Sequence, residues 1–222
     1  MPKTDRKNVL LGEGVGEITE KKSRFIAHCF AVRSEDEALK KIEELRKQYW
    51  DARHNCYAYV IGKNSEIMRF SDDKEPQGTA GKPILDVITG NQLINTLIVV
   101  TRYFGGVLLG AGGLVRAYSA ASVEGLKNCT VSEIYAGVSL SVTCDYAALG
   151  KIQYLAGQLS GYGTCCITDT SYAENVTFQI TLEESLLETF RNKVTEATSG
   201  QGVISAPVPV EFAMKDDCPV YL

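Results

Sequence analysis

Polar and apolar positions change their period several times along the chain, and each change marks an element. Residues 12–20 and 23–32 alternate and carry Phe25 and Phe30, the pattern of paired strands. From Ser34 the period becomes helical, with Ala38, Leu39, Ile42, Leu45 and Tyr49 on one face of a helix over 34–49. Ser34 and Glu37 form a capping box there. Glu35 and Asp36 lie at the positive end of the helix dipole, Arg46 and Lys47 at the negative end. Residues 55–61 and 66–70 return to strand, joined by a turn at Gly62-Lys63-Asn64-Ser65. A short helix over 80–88 stops at Thr89-Gly90-Asn91. Residues 93–103 form a central strand by their unbroken apolar middle, and 112–127 a helix with Leu114, Val115, Tyr118, Ala121, Ser122 and Leu126 turned inward.

The second half repeats the alternation in another order. A strand over 135–144 exposes one face of Val138, Leu140 and Val142. Asp145 caps a helix carrying Leu149, Ile152, Leu155 and Leu159, which Gly161 ends. Residues 164–169 and 175–181 form a hairpin. Thr181 and Glu184 make a second capping box for a helix with Leu186, Leu187, Phe190 and Val194 that stops near Gly200, and 208–212 is the last strand. This βαββαβ order predicts a ferredoxin-like domain over 131–222, after an α+β domain over 1–130, with a hinge at 128–132. Neither half holds an internal repeat or a low-complexity tract.

Composition narrows the classes. The first residues, Met1-Pro2-Lys3-Thr4-Asp5-Arg6-Lys7, are polar and lead into no signal-peptide h-region. The longest apolar runs, such as Leu97-Ile98-Val99-Val100, are far too short to cross a bilayer, which takes about 20 residues. Seven cysteines without a CxxC pair read as reduced thiols of a cytoplasmic protein. The two histidines, His28 and His54, lack a nearby cysteine at zinc-ligand spacing. Residues 1–130 hold 19 Lys and Arg against 16 Asp and Glu, whereas 131–222 hold 4 against 11. An acidic partner is therefore expected on the first part, although this surplus is far below the basic stripe of a dedicated nucleic-acid binder.

Candidate chemistry gathers in two glycine-bearing segments, each running into a helix. In the first, Asp72-Asp73-Lys74-Glu75 sets three carboxylates within four residues. They read either as a Mg²⁺ locus or as a solvated loop whose Asp residues cap the turn before Pro76. Gly78-Thr79-Ala80-Gly81-Lys82-Pro83 follows, with Pro83 in the first helical turn. Its amides can hold an anion, and Thr79 is placed to cap the helix; both readings stand. The spacing is not that of a Walker A loop. The second segment has five glycines between Gly105 and Gly113 and misses the strict dinucleotide spacing, since Val115 occupies the third glycine position. Leu108 and Leu109 read as a plug into the core. Arg102 and Arg116 flank the loop, either free for an anion or paired with a carboxylate such as Asp72 or Asp73. His54 and Cys56 sit two apart on a strand, which favours a core thiol beside a hydrogen-bonded imidazole over a catalytic dyad. No GxSxG elbow or triad order is present.

These motifs resemble the IMPACT/YigZ family. The match rests on Ser23-Arg24-Phe25-Ile26, His54-Asn55-Cys56-Tyr57-Ala58-Tyr59, Ser71-Asp72-Asp73 with Glu75-Pro76 and Gly78-Thr79-Ala80-Gly81, and Val100-Thr101-Arg102-Tyr103-Phe104-Gly105-Gly106 through Gly110-Ala111-Gly112-Gly113-Leu114-Val115-Arg116-Ala117-Tyr118. Lys74 and Gln77 depart from the family's usual Gly and Ser. The resemblance implies a first domain similar to domain four of elongation factor G and a ferredoxin-like second domain. Eukaryotic members act in translational control by competing for the activator of a starvation-sensing kinase.

Residues and resemblance together predict a cytoplasmic binding protein of translation regulation, without catalysis, cofactor or metal. The expected partner is RNA or a ribosome-associated protein on an anion-binding face. There Gly78, Thr79, Gly81, Gly105 and Gly106 approach phosphate, Lys82, Arg102 and Arg116 supply charge, and Tyr103 or His54, beside Asn55, stacks on a base. Two alternatives remain open. One is a protein-interaction module on the same face. The other is an enzyme on a phosphorylated or carboxylated small molecule using Asp72, Asp73 and Glu75.

Overall fold

The computed structural model describes residues 6–161 and 163–222; the polar run from Met1 to Asp5 lies outside the described residues. Chain contacts divide it into two compact units of an α+β protein, the first ending at Glu133 and the second beginning at Ile134. No described helix is long and apolar enough to cross a membrane.

The first unit opens with a short strand, β1 (Asn8–Leu10), paired to the first residues of β7 (Val131–Cys144). Its main sheet takes β2 (Gly14–Glu20), β3 (Ser23–Ala31), β4 (His54–Ile61), β5 (Ile67–Ser71) and β6 (Thr96–Tyr103) in the order β2-β3-β6-β4-β5, each neighbour antiparallel. β6 lies at the centre, which is why its apolar run has no polar alternation: both faces are covered. On one face α1 (Glu35–Gln48) buries Ala38, Ile42 and Leu45 against Phe30, Tyr59, Leu97 and Val99. Ser34 Oγ accepts from Glu37 N at 3.2 Å, as the capping box requires, while the Glu37 carboxylate reaches back to the amide of Arg33. On the other face lie α2 (Gly81–Gly90) and α3 (Ala111–Lys127), with Tyr118 packed edge-on to Phe25 at 5.2 Å between ring centres.

In the second unit β7 is followed by α4 (Leu149–Leu159), β8 (Cys165–Tyr172), β9 (Val176–Glu183), α5 (Leu187–Ala197), β10 (Val203–Ile204), β11 (Val208–Lys215) and β12 (Cys218–Tyr221). The main strand order is β12-β11-β7-β9-β8, all antiparallel, with β10 joined to β7. The core joins Val138, Leu140 and Val142 to Phe178, Ile180 and Leu182, under Ile152, Leu155, Phe190 and Val194 of the helices.

Three local expectations are corrected. The second capping box does not form. The apolar alternation Val176, Phe178, Ile180, Leu182 carries the strand through Glu183, Thr181 is buried with its hydroxyl 2.7 Å from that of Tyr221, and Glu184 opens a single 3₁₀ turn. Asp145 accepts from Ala148 N at 2.8 Å, but in a turn ahead of α4 rather than at its cap. The chain also ends in a hairpin, β11 with β12, where the alternation predicts one strand.

Candidate functional site

Strand register builds the floor of the site. Arg102 pairs across the sheet with Phe25 on one side and His54 on the other, so the side chains of all three emerge toward α2 and α3. The guanidinium is not solvent-facing. Arg102 is 5% exposed, its Nη1 donates to Glu75 Oε1 at 2.6 Å, its Nη2 lies 3.4 Å from Ser23 Oγ, and the Phe25 and Phe104 rings flank its carbon at 5.3 and 5.6 Å. Its Nε–H is buried with no acceptor among the described residues. Glu75 Oε1 also accepts the Tyr118 hydroxyl at 2.9 Å and stands 3.8 Å from His54 Nε2.

His54 Nδ1 lies 2.8 Å from the Asp73 carbonyl; a carbonyl only accepts, so that nitrogen carries a hydrogen, and Nε2 is the ring nitrogen that faces Glu75. Cys56 Sγ donates to the Asp72 carbonyl at 3.0 Å and contacts the Tyr118 hydroxyl at 3.4 Å. Burial pushes both the Cys56 thiol and the Tyr118 hydroxyl up from their ordinary values, so both keep their protons at neutral pH. The thiol has no base beside it. This is a satisfied polar floor rather than a nucleophile–base pair.

The first glycine segment is closed from within. Asp72 Oδ2 accepts from Gly78 N at 2.8 Å, and its Oδ1 from Ala80 N at 3.0 Å and Gly81 N at 2.8 Å. The carboxylate thus sits where the sequence suggests an external anion, and the start of α2 is capped by a residue eight positions ahead of Ala80. Thr79 does not cap: its hydroxyl donates to the Pro76 carbonyl at 2.6 Å. Asp73 Oδ2 accepts from Asn55 N at 2.6 Å, so Asp72, Asp73 and Glu75 serve three separate sets of partners. Among the described residues no three such side chains gather at metal-binding distance.

The second segment is open. Gly105 runs against the backbone of Lys22, where an added Cβ would stand 2.0 Å from the Lys22 carbonyl carbon, and its amide meets Ser23 Oγ at 3.2 Å. Gly110, at φ 72°, forms the N-cap of α3 without any side-chain acceptor, and the first turn of that helix holds no acidic residue. Leu108 is not a core plug: it is 82% exposed, and Phe104 is 42% exposed. Between the segments lies a cavity of about 420 Å³, with Arg53, His54, Glu75 and Arg102 as its polar lining and Pro76, Phe104, Leu108, Leu109 and Leu114 among its apolar walls.

The remaining candidates lie apart. Tyr103 points to the other face of the sheet, where its hydroxyl donates to Asp51 at 2.8 Å. Asn55 shares that face and accepts from Thr101 Oγ1 at 2.7 Å. Lys82 pairs with Asp86 one turn along α2. Arg116 is exposed, with no carboxylate at ion-pair distance among the described residues, and Gly106 is an exposed loop residue. Sequence reasoning missed Ser23, Arg53 and Tyr118 as lining or floor residues. Only the strand register that sets Arg102 between β3 and β4 brings them together.

Known proteins similar to this chain identify its family. Residues 21–126 match the family described as the Impact N-terminal domain, and 142–201 a domain of unknown function, DUF1949. The chain is 43% identical over 191 residues to the IMPACT family member YvyE of Bacillus subtilis, covering 86% of each chain. It is 35% identical over 182 residues to the IMPACT family member YigZ of Escherichia coli, covering 81% of this chain and 87% of that one. A crystal structure of a hypothetical protein superposes with a TM-score of 0.56 at 31% identity, over 91% of this chain and 98% of the other. The loops that wall the cavity and the buried Arg102–Glu75 pair fall inside the matched N-terminal region, and by sequence across most of its length the chain belongs to the IMPACT family.

Proposed function

We propose that this chain is a non-catalytic binding protein of translation regulation that engages a protein partner through the loop carrying Phe104, Val107 and Leu108. The observation that carries this reading is the exposure of that loop: Leu108 at 82%, with Phe104 and Val107 each at 42%, in one short segment beside a cavity. Large apolar side chains held in solvent on a loop pinned at Gly105 have the chemistry of an interface core, and Arg53 and Arg116 supply a polar rim. RNA finds less on the same face. Of Lys82, Arg102 and Arg116, two are already paired with carboxylates, and the amides of Gly78 and Gly81 with Asp72. The translational role comes from membership of the IMPACT family, whose eukaryotic members work by competing for a protein. We read the second unit's strand order as ferredoxin-like and the first unit as similar to domain four of elongation factor G. A cytoplasmic location follows from the same reading.

A cell-free translation reaction tests it. Added chain is expected to change reporter yield, and Leu108→Glu, on a side chain free of packing, is expected to abolish the effect without lowering thermal stability. An unaltered effect with Leu108→Glu, joined to its loss with Arg53→Ala plus Arg116→Ala, overturns the protein-partner reading in favour of RNA.

A further inference from the structure

We infer that the cavity between the two segments is a binding site for a small organic anion, its charged end at the start of α3 and its apolar body against Phe104, Leu108 and Leu114. The inference does not rest on the partner reading, because it concerns a ligand taken up by the chain alone. Three observations converge on one cavity. First, Gly110 and Ala111 line it, and the amides of Ala111, Gly112 and Gly113 have no acceptor among the described residues. The first bond of α3 is Leu114 N to Gly110 O at 3.0 Å, and a helix of 17 residues brings the positive end of its dipole to those amides. Second, Arg102, 95% buried, lines the same cavity with an Nε–H that nothing accepts. A buried donor left without an acceptor costs about 1–3 kcal/mol.

Third, the charges favour an anion. Arg53 and Arg102 contribute two positive groups to the lining and Glu75 one negative group. Glu75 is already committed through Oε1 to Arg102 and Tyr118, whereas Arg53 has no carboxylate at ion-pair distance among the described residues. The net surplus matches one negative charge. A volume of about 420 Å³ lies within the range of small-molecule sites, and its apolar walls call for more than a bare ion. A carboxylate or phosphate monoester on an aromatic or branched body fits this description. The start of α2 does not compete, because Asp72 already occupies its amides.

Calorimetry on the full chain with three probes tests the assignment. Phenylacetate carries both charge and body, acetate only the charge, and 2-phenylethanol only the body. Phenylacetate is expected to bind at least about tenfold more tightly than either of the others. Ala111 is exposed, so Ala111→Glu is expected to fold, and to weaken phenylacetate at least about tenfold by placing a carboxylate at the helix start. Ala111→Gln, of the same size as Glu and uncharged, is expected to weaken phenylacetate clearly less than Ala111→Glu does. On binding, the NMR signal of the Arg102 Nε–H is expected to shift. Equal affinities for the three probes, absence of saturable phenylacetate binding, indifference to Ala111→Glu, or a stationary Arg102 Nε–H signal would each overturn the assignment. None of these outcomes depends on whether the chain alters translation.

Discussion

The starts of α2 and α3, of which only the second lines the cavity, resemble one another in sequence and differ in how their amides end. Before α2, a glycine-bearing loop folds back so that Asp72 accepts from Gly78, Ala80 and Gly81. Before α3, Gly110 brings no side-chain acceptor, the first turn brings no acid, and the amides of Ala111, Gly112 and Gly113 stay unpaired among the described residues. Glycine content therefore does not identify an external anion site. What decides is whether the chain supplies its own carboxylate. One helix start is closed by the chain's own carboxylate, and the other leaves its amides to solvent or to a ligand.

The arginine between them sharpens the contrast, and the largest expected effect lies there. Arg102→Met leaves Glu75 buried with only Tyr118 donating to it, and is expected to lower stability by about 3–5 kcal/mol in urea denaturation. Adding Glu75→Leu should restore much of that loss, since a buried ion pair is costly to break but replaceable by packing. If the single variant is as stable as the native chain, the pair is not the tie between the loops. Next comes Asp72→Ala, expected to cost about 1–3 kcal/mol by removing the acceptor of three amides. In that variant inorganic phosphate should raise the melting temperature more than in the native protein; an equal response would show that the α2 amides were never held by Asp72. The smallest effect is expected from Tyr103→Phe. Its hydroxyl meets Asp51 at an exposed position on the opposite face, so stability should change by no more than about 0.5 kcal/mol and phenylacetate binding not at all. A loss of binding there would contradict the separation of the two faces.

Much of this architecture is legible in the sequence. The switches between alternating and helical periods place α1, α3, β6 and the hairpin of β4 with β5, because each buries a face whose period the chain must follow. The meeting of the segments around Glu75 and Arg102 is foreshadowed by their glycines and charges, but the partners are not. Asp72 caps a helix from eight and nine residues away, outside the local window in which capping residues are recognised. Arg102 finds Glu75 rather than Asp72 or Asp73 because strand register aims it at α3, and no feature of 71–75 distinguishes the three acids beforehand. Thr181 and Glu184 show the converse. A capping signal is present, yet burial of Phe178, Ile180 and Leu182 outweighs it and extends the strand. Leu108 reads as core by hydropathy alone, and only the path of its loop turns it to solvent.

The difference between the two helix starts is tested most directly by ¹H–¹⁵N correlation spectra of the full chain during titration with phenylacetate. The amide signals of Ala111, Gly112 and Gly113 should move together along one saturable curve, while those of Gly78, Ala80 and Gly81 stay in place. Movement of the Gly78, Ala80 and Gly81 signals with the α3 amides unmoved would contradict the account.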